Sequence, residues 1–331
     1  MKNVMILLCA AEIVMMSVAG AAAEPVTIQL SHDLPAETPQ HLGSLKFKEI
    51  VESKSGGNIT VEIFPEGELG SDIETVKLLQ MDIIQASLVP TAKLSSFAPT
   101  LQMVDLPFLF PSKEACYCTL DSDVGETLLS GLEEIGLQGV AFWESGFKQF
   151  TANKAIRQPE DYEGLKIRVM QSPILIEQFT AMGADAVTIS FSEVYNALQQ
   201  DVVDGQENPL VSITKMKFYD VQSHMTLSYH GYLAYAFLFS KMFWDGLEPD
   251  QQRMIKEAAL EAARYEREQT SEMEDGFLKT IMNSGTEIIR LTLEERSAFE
   301  GATRTVHNKF ADSIGKDTLK LVYAKIKECS N

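Results

Sequence analysis

The stretch "EGLKIRVMQSP" (residues 163–173) sets an arginine in an unusual place. Leu165, Ile167 and Val169 alternate with Lys166, Arg168 and Met170, the period of a strand, and Ser172-Pro173 reads as N-cap and first position of a helix. Arg168 therefore falls on the last turn of a strand just before a helix begins. In open α/β sheets ligands sit beyond the carboxyl ends of strands. A guanidinium fork there can hold a carboxylate bidentately, and the helix N-terminus adds positive potential. The same residue also fits a rim salt bridge of little energetic weight. Periodicity alone leaves both readings open.

Other chemistry is sparse. The chain has no G-x-G-x-x-G, Walker loop, G-x-S-x-G or H-E-x-x-H, which lowers the expectation of an enzyme. His32, His41, His224, His230 and His307 show no ligand-like pairing with the cysteines, so no metal or cofactor is expected.

The elements that must position Arg168 alternate. "VTIQLS" is a strand, and Thr38-Pro39 opens a helix with Leu42, Leu45 and Val51 on its apolar face. "NITVEIF" is a strand, Ser71-x-x-Glu74 is a capping box, and "DIIQASLVP" is a buried strand. "SDVGETLLSGLEEIG" is a helix closing at Gly136, followed by the strand "LQGVAFWE". Beyond Arg168 come a helix, the strand "DAVTIS", a second capping box at Ser190-x-x-Glu193 and "DVVDGQENP" as strand and turn. This spacing predicts α/β architecture with largely parallel sheets. From Pro249 the helical period continues far beyond an ordinary helix, bridging two lobes or kinking near Gly276. "EIIRL" is a strand, Thr292-x-x-Glu295 caps a helix, and one more helix ends the chain.

Lys and Arg total 28 against 47 Asp and Glu, a net charge of −19, which opposes nucleic acid and anionic membranes. Any bound anion needs a local cationic cluster. Lys2, the apolar run after it and Ala21-x-Ala23 read as a cleaved secretory signal over residues 1–23, so the mature chain is expected to be exported. In that disulfide-permissive setting Cys116 and Cys118 are too close to bridge easily. One of them could reach Cys329 if the C-terminus folds back, and buried free thiols are the alternative.

The segment "GLKIRVMQSP…MGADAVTISFSEVYNALQQDVVDGQENP" closely resembles the core signature of the DctP-type solute-binding proteins of TRAP (tripartite ATP-independent periplasmic) transporters. "LPAETPQH", "FPEGELGSD", "LPFLF", "GFKQFTANK", "KFYDVQ" and "LEPDQQ" resemble further landmarks in the same order, so the likeness covers essentially the whole mature chain. It implies a two-lobed periplasmic receptor, each lobe a sheet flanked by helices, with hinge strands and a long helix spanning both. The implied division is 24–145 plus 234–273 for lobe I and 146–233 plus 274–331 for lobe II. The implied partners are a small organic acid and the small and large membrane permease subunits, with a monomeric receptor and no catalysis.

By the same resemblance Arg168 pairs the ligand carboxylate, Asn208 lies in the pocket and Phe191 supplies an apolar wall. Lys148 occupies a position where the family usually has arginine and lacks its bidentate fork. Asp33, Asp72, Ser87 and Thr91 fall near ligand-facing positions of the first lobe, as does Ser71, which has a capping role of its own. Glu207 is expected as a supporting residue, Tyr229, His230 and Tyr232 near the hinge, and Trp143 in the core. No acidic residue stands in "ASLVPTAK", which argues against sialic acid. C4-dicarboxylates and related hydroxy acids rank first, then uronate-type sugar acids, then keto acids and sulfonates.

Overall fold

The computed structural model describes residues 26–330; the expected signal segment lies outside them. Ten strands build the fold: β1 (Val26–Ser31), β2 (Ile59–Phe64), β3 (Ala86–Pro90), β4 (Leu137–Ala152), β5 (Lys166–Val169), β6 (Asp185–Thr188), β7 (Gly205–Pro209), β8 (His224–Leu227), β9 (Tyr232–Ser240) and β10 (Glu287–Arg290). They run in the order β2-β1-β3-β9-β4-β7-β5-β6, with β8 also pairing β4 and β10 pairing β8. β1, β2 and β3 are parallel, as are β5, β6 and β7, while β9 and β4 enter antiparallel.

The two-lobed form follows from β4. Its first part, Leu137 to Phe147, pairs with β9 in one sheet, and from Lys148 it pairs with β7 in the other. A register shift at Glu144/Gly146 precedes the change of partner, and Gly146 there takes φ 113°, a region closed to most side chains. The second crossing, Ser228 to Gly231, holds Tyr229 at φ 47° and returns the chain to the first sheet at β9. The helix Pro249–Asn283 is the third. At 1.5 Å per residue it is about 52 Å long, and it packs on the helix Pro39–Lys54, on β4 and on the helix Leu210–Lys215. It runs unbroken through Gly276.

Several local expectations change. On the helix Pro39–Lys54, Leu45 is exposed, and the buried face is Gly43, Phe47, Ile50 and Val51. Gly43 admits the Trp143 ring so closely that an added Cβ would fall 2.7 Å from it. The strand in "DIIQASLVP" begins only at Ala86, because Asp82 turns the chain at φ 56°. The helix read from Ser122 ends at Ser130, and a separate 3-10 turn, Glu133–Ile135, reaches Gly136. Ser190 and Glu193 form no capping box: Phe191–Glu193 is a 3-10 turn leading into the short helix Val194–Gln199. The C-terminal helix Lys316–Cys329 packs on the helix Lys113–Leu120 and is joined to it by the Cys118–Cys329 disulfide, with Cα atoms 5.8 Å apart. That end of the chain thus lies against the segment assigned above to lobe I, and Cys116 stays a buried free thiol.

Candidate functional site

Arg168 is 1% exposed on β5, between Ile167 and Val169 of the core. Its Nε and Nη2 both donate to the Ile189 carbonyl, at 3.0 and 2.8 Å, which fixes the plane of the guanidinium. Burial lowers its pKa to about 10, against the opposing pull of Glu207, Asp33, Asp72 and Tyr235, so it stays cationic at neutral pH. Asp33 and Asp72 belong to the other lobe. Through Ile189 the guanidinium touches the turn that lines a cavity between the lobes, which Arg168 itself does not line.

Strand register sorts the neighbours. Arg168 pairs with Gln206 on β7, and Asn208, two residues on, shares that face. Asn208 donates to Gln206 Oε1 at 2.6 Å, Gln206 donates to Thr151 Oγ1 at 2.9 Å, and Thr151 donates to Gln222. This relay orients the Asn208 amide. Lys148 and Glu207 take the opposite face, with Phe150. Lys148 Nζ stands 3.0 Å from Glu207 Oε1, and His230 Nε2 donates to Glu207 Oε2 at 2.8 Å. His230 also stacks on Phe150 and meets Ser228 Oγ through Nδ1 at 2.7 Å. Burial pushes the Glu207 carboxyl up, but Lys148 and His230 outweigh it and hold it at about 2. Glu207 is thus a permanently ionised support.

The first lobe supplies Asp33, Asp72, Ser87 and Thr91. Asp33 and Asp72 line a 430 Å³ cleft together with Ser71, Lys93 and, from the second lobe, Ser190 and Phe191. Tyr235 donates to Asp33 Oδ1 at 3.2 Å. Burial, and after it the nearby Asp72, push the Asp33 carboxyl well above the usual range. Ser87 donates inward to the Ser31 carbonyl at 3.1 Å, which makes it a strand-to-strand tie. Thr91 Oγ1 and Ser172 Oγ are buried with no partner among the described residues. Ser71 binds Glu74 in the expected box. Tyr232 and Trp143 are buried in aromatic contacts, and Tyr229 is partly exposed at the hinge.

Sequence reasoning passed over Lys93 and Tyr235. The signal for Lys93 was a lysine in "SLVPTAKLS", where every neighbour is buried. No group of His, Cys, Asp and Glu among the described residues could hold a metal ion.

Two lobes of mixed sheet, joined by crossing segments around a polar cleft, with a buried arginine clamped to the turn beside it, define a solute-binding protein. Residues 30–313 match the family described as "Bacterial extracellular solute-binding protein, family 7", DctP. The chain belongs to that family, the periplasmic solute-binding proteins of TRAP transporters, which are not enzymes. It is 38% identical over 313 residues to the C4-dicarboxylate-binding periplasmic protein DctP of Rhodobacter capsulatus, covering 93% of each chain. A TRAP periplasmic solute-binding protein from Shewanella oneidensis, solved with bound succinate, superposes with a TM-score of 0.87 at 36% identity, over 91% of this chain and 99% of that one. The sugar acid binding protein DctPAm of Advenella mimigardefordensis, solved with galactonate, gives 0.89 at 32% identity, over 92% and 99%.

Proposed function

We propose that this protein is a periplasmic receptor that closes on a C4-dicarboxylate or related hydroxy acid and delivers it to the small and large membrane subunits of a TRAP permease. The observation that carries the reading is Arg168. One edge of its guanidinium is tied to the Ile189 carbonyl, and Nη1 donates to no acceptor among the described residues. A guanidinium held in this way is pre-organised for one ligand carboxylate, with less rotamer freedom left to lose on binding.

Asn208, oriented by Gln206, adds a donor or acceptor beside that carboxylate, and Phe191 covers its apolar side. Lys148 acts mainly through Glu207. Binding favours the closed form because the ligand touches both lobes at once, a population shift driven by differential affinity. The relatives support the dicarboxylate class, and the Cys118–Cys329 disulfide suits an oxidising compartment reached after removal of residues 1–23. The receptor acts as a monomer.

A sugar-acid ligand is the second reading. It is favoured by Asp33 and Asp72, which give the 430 Å³ cleft two carboxyl groups able to accept from ligand hydroxyls. A thermal-shift screen over organic acids, followed by calorimetry on wild type and Arg168→Ala, separates these readings. The variant is expected to fold and to lose binding; unchanged affinity removes Arg168 from the site.

A further inference from the structure

A cation faces the cleft from the first lobe. Lys93, just beyond β3, is nearly buried, and its Nζ lies 3.2 Å from Asp72 Oδ2. Among the described residues its ammonium donates no hydrogen bond to any other group, which leaves N–H groups for a ligand. Lys93 lines the 430 Å³ cleft and also a 100 Å³ cavity closed by Ser71 from its own lobe and by Thr188, Ile189 and Ser190 from the other. Ile189 is the residue whose carbonyl clamps Arg168. Asp72, the partner of Lys93, is also among the charges that act on Arg168. Two cations from opposite lobes therefore flank the same turn after β6.

We propose that Lys93 is the anchor for a second ligand carboxylate, so that a dianion bridges Arg168 on one lobe and Lys93 on the other. This rests on the dicarboxylate reading above and deepens it. Lys148, the lysine that sequence places beside the arginine, is bound to Glu207 on the opposite face of the sheet. A monocarboxylate engages Arg168 alone and makes no charged contact with the first lobe. A dicarboxylate makes one with each lobe, which couples its length and charge to closure.

The test compares succinate with butyrate, which has the same carbon count and one carboxylate fewer. Calorimetry on wild type is expected to favour succinate strongly. In Lys93→Met that preference falls by roughly ten- to a hundredfold, the worth of a charge-assisted hydrogen bond, while Lys93→Arg keeps most of it. Small-angle scattering is expected to show wild type contracting with succinate and not with butyrate. If Lys93→Met does not fold, the double variant Lys93→Met/Asp72→Asn, which removes the cation with its counter-ion, carries the same comparison. A folded variant with the wild-type preference overturns the role of Lys93 and leaves the dicarboxylate reading standing. Failure of wild type to bind either acid rejects that reading, and the role of Lys93 with it.

Discussion

Lys148 Nζ and Glu207 Oε1 lie 3.0 Å apart, both side chains 1% exposed, at the point where β4 passes from one lobe to the other. The pair ties a hinge strand to β7, and His230 completes it from the crossing segment between β8 and β9. Removing Lys148 leaves a buried carboxylate with one partner. Lys148→Met is expected to cost about 3–5 kcal/mol, and replacing both charges, Lys148→Met with Glu207→Leu, to recover a large part of it. Urea unfolding of the two variants checks this. Glu207 is held at about 2 against an ordinary 4.5, so the stability it confers is present above pH 4.5 and lost as pH falls towards 2.

Arg168→Lys keeps the charge and loses the fork. A lysine cannot grip the Ile189 carbonyl and a ligand carboxylate in one plane. Affinity for succinate is expected to fall at least about a hundredfold, the lower part of the range for truncating a buried charged pair. Calorimetry at fixed pH measures it, and a loss below tenfold would mean that charge alone suffices.

Two buried acids make stability fall with rising pH. Burial, helped by the charge of Glu144, raises Glu266 to about 8 from 4.5, and burial raises Asp105 to about 7 from 3.8 against the opposing pull of Lys148. The folded chain therefore holds protons that the unfolded chain releases near pH 4. Between about pH 4 and 8 the native state binds more protons, so unfolding free energy declines as pH increases. Melting curves from pH 5 to 9 should show the decline, and Glu266→Gln should flatten its upper part.

The Cys118–Cys329 disulfide closes a loop across 211 residues of sequence. Reduction is expected to cost about 2–5 kcal/mol, seen as a lower melting temperature with dithiothreitol. Cys118→Ser should reproduce the loss and make the reductant ineffective.

Much of this was legible in the sequence because its causes are local. Period-two alternation located β1 and β5, strand-like runs marked β2, β6 and β10, and Thr38-Pro39, Ser71-x-x-Glu74 and Thr292-x-x-Glu295 opened helices as their capping chemistry requires. The same logic failed at Ser190, where a 3-10 turn intervenes, and at Leu45, where tertiary packing chose Gly43 and Phe47 to meet Trp143 and the β9 aromatics.

By itself the sequence determined the alternation of strand and helix over much of the chain, the family and the position of Arg168 at a strand end, but not β8, β9 or the length of β4. Only the tertiary structure decided which charges face the cleft. Lys148 and Arg168 look alike in sequence, yet alternation across β4, β5 and β7 sends them to opposite faces, where Glu207 holds the first. Lys93 gave little sign in sequence and stands across the cleft, because β3 and β6 end on facing edges of different lobes. Cys118 rather than Cys116 meets Cys329 because their helix turns one towards the C-terminal helix and the other into the core. Such pairings depend on directions in space that spacing along a chain does not encode.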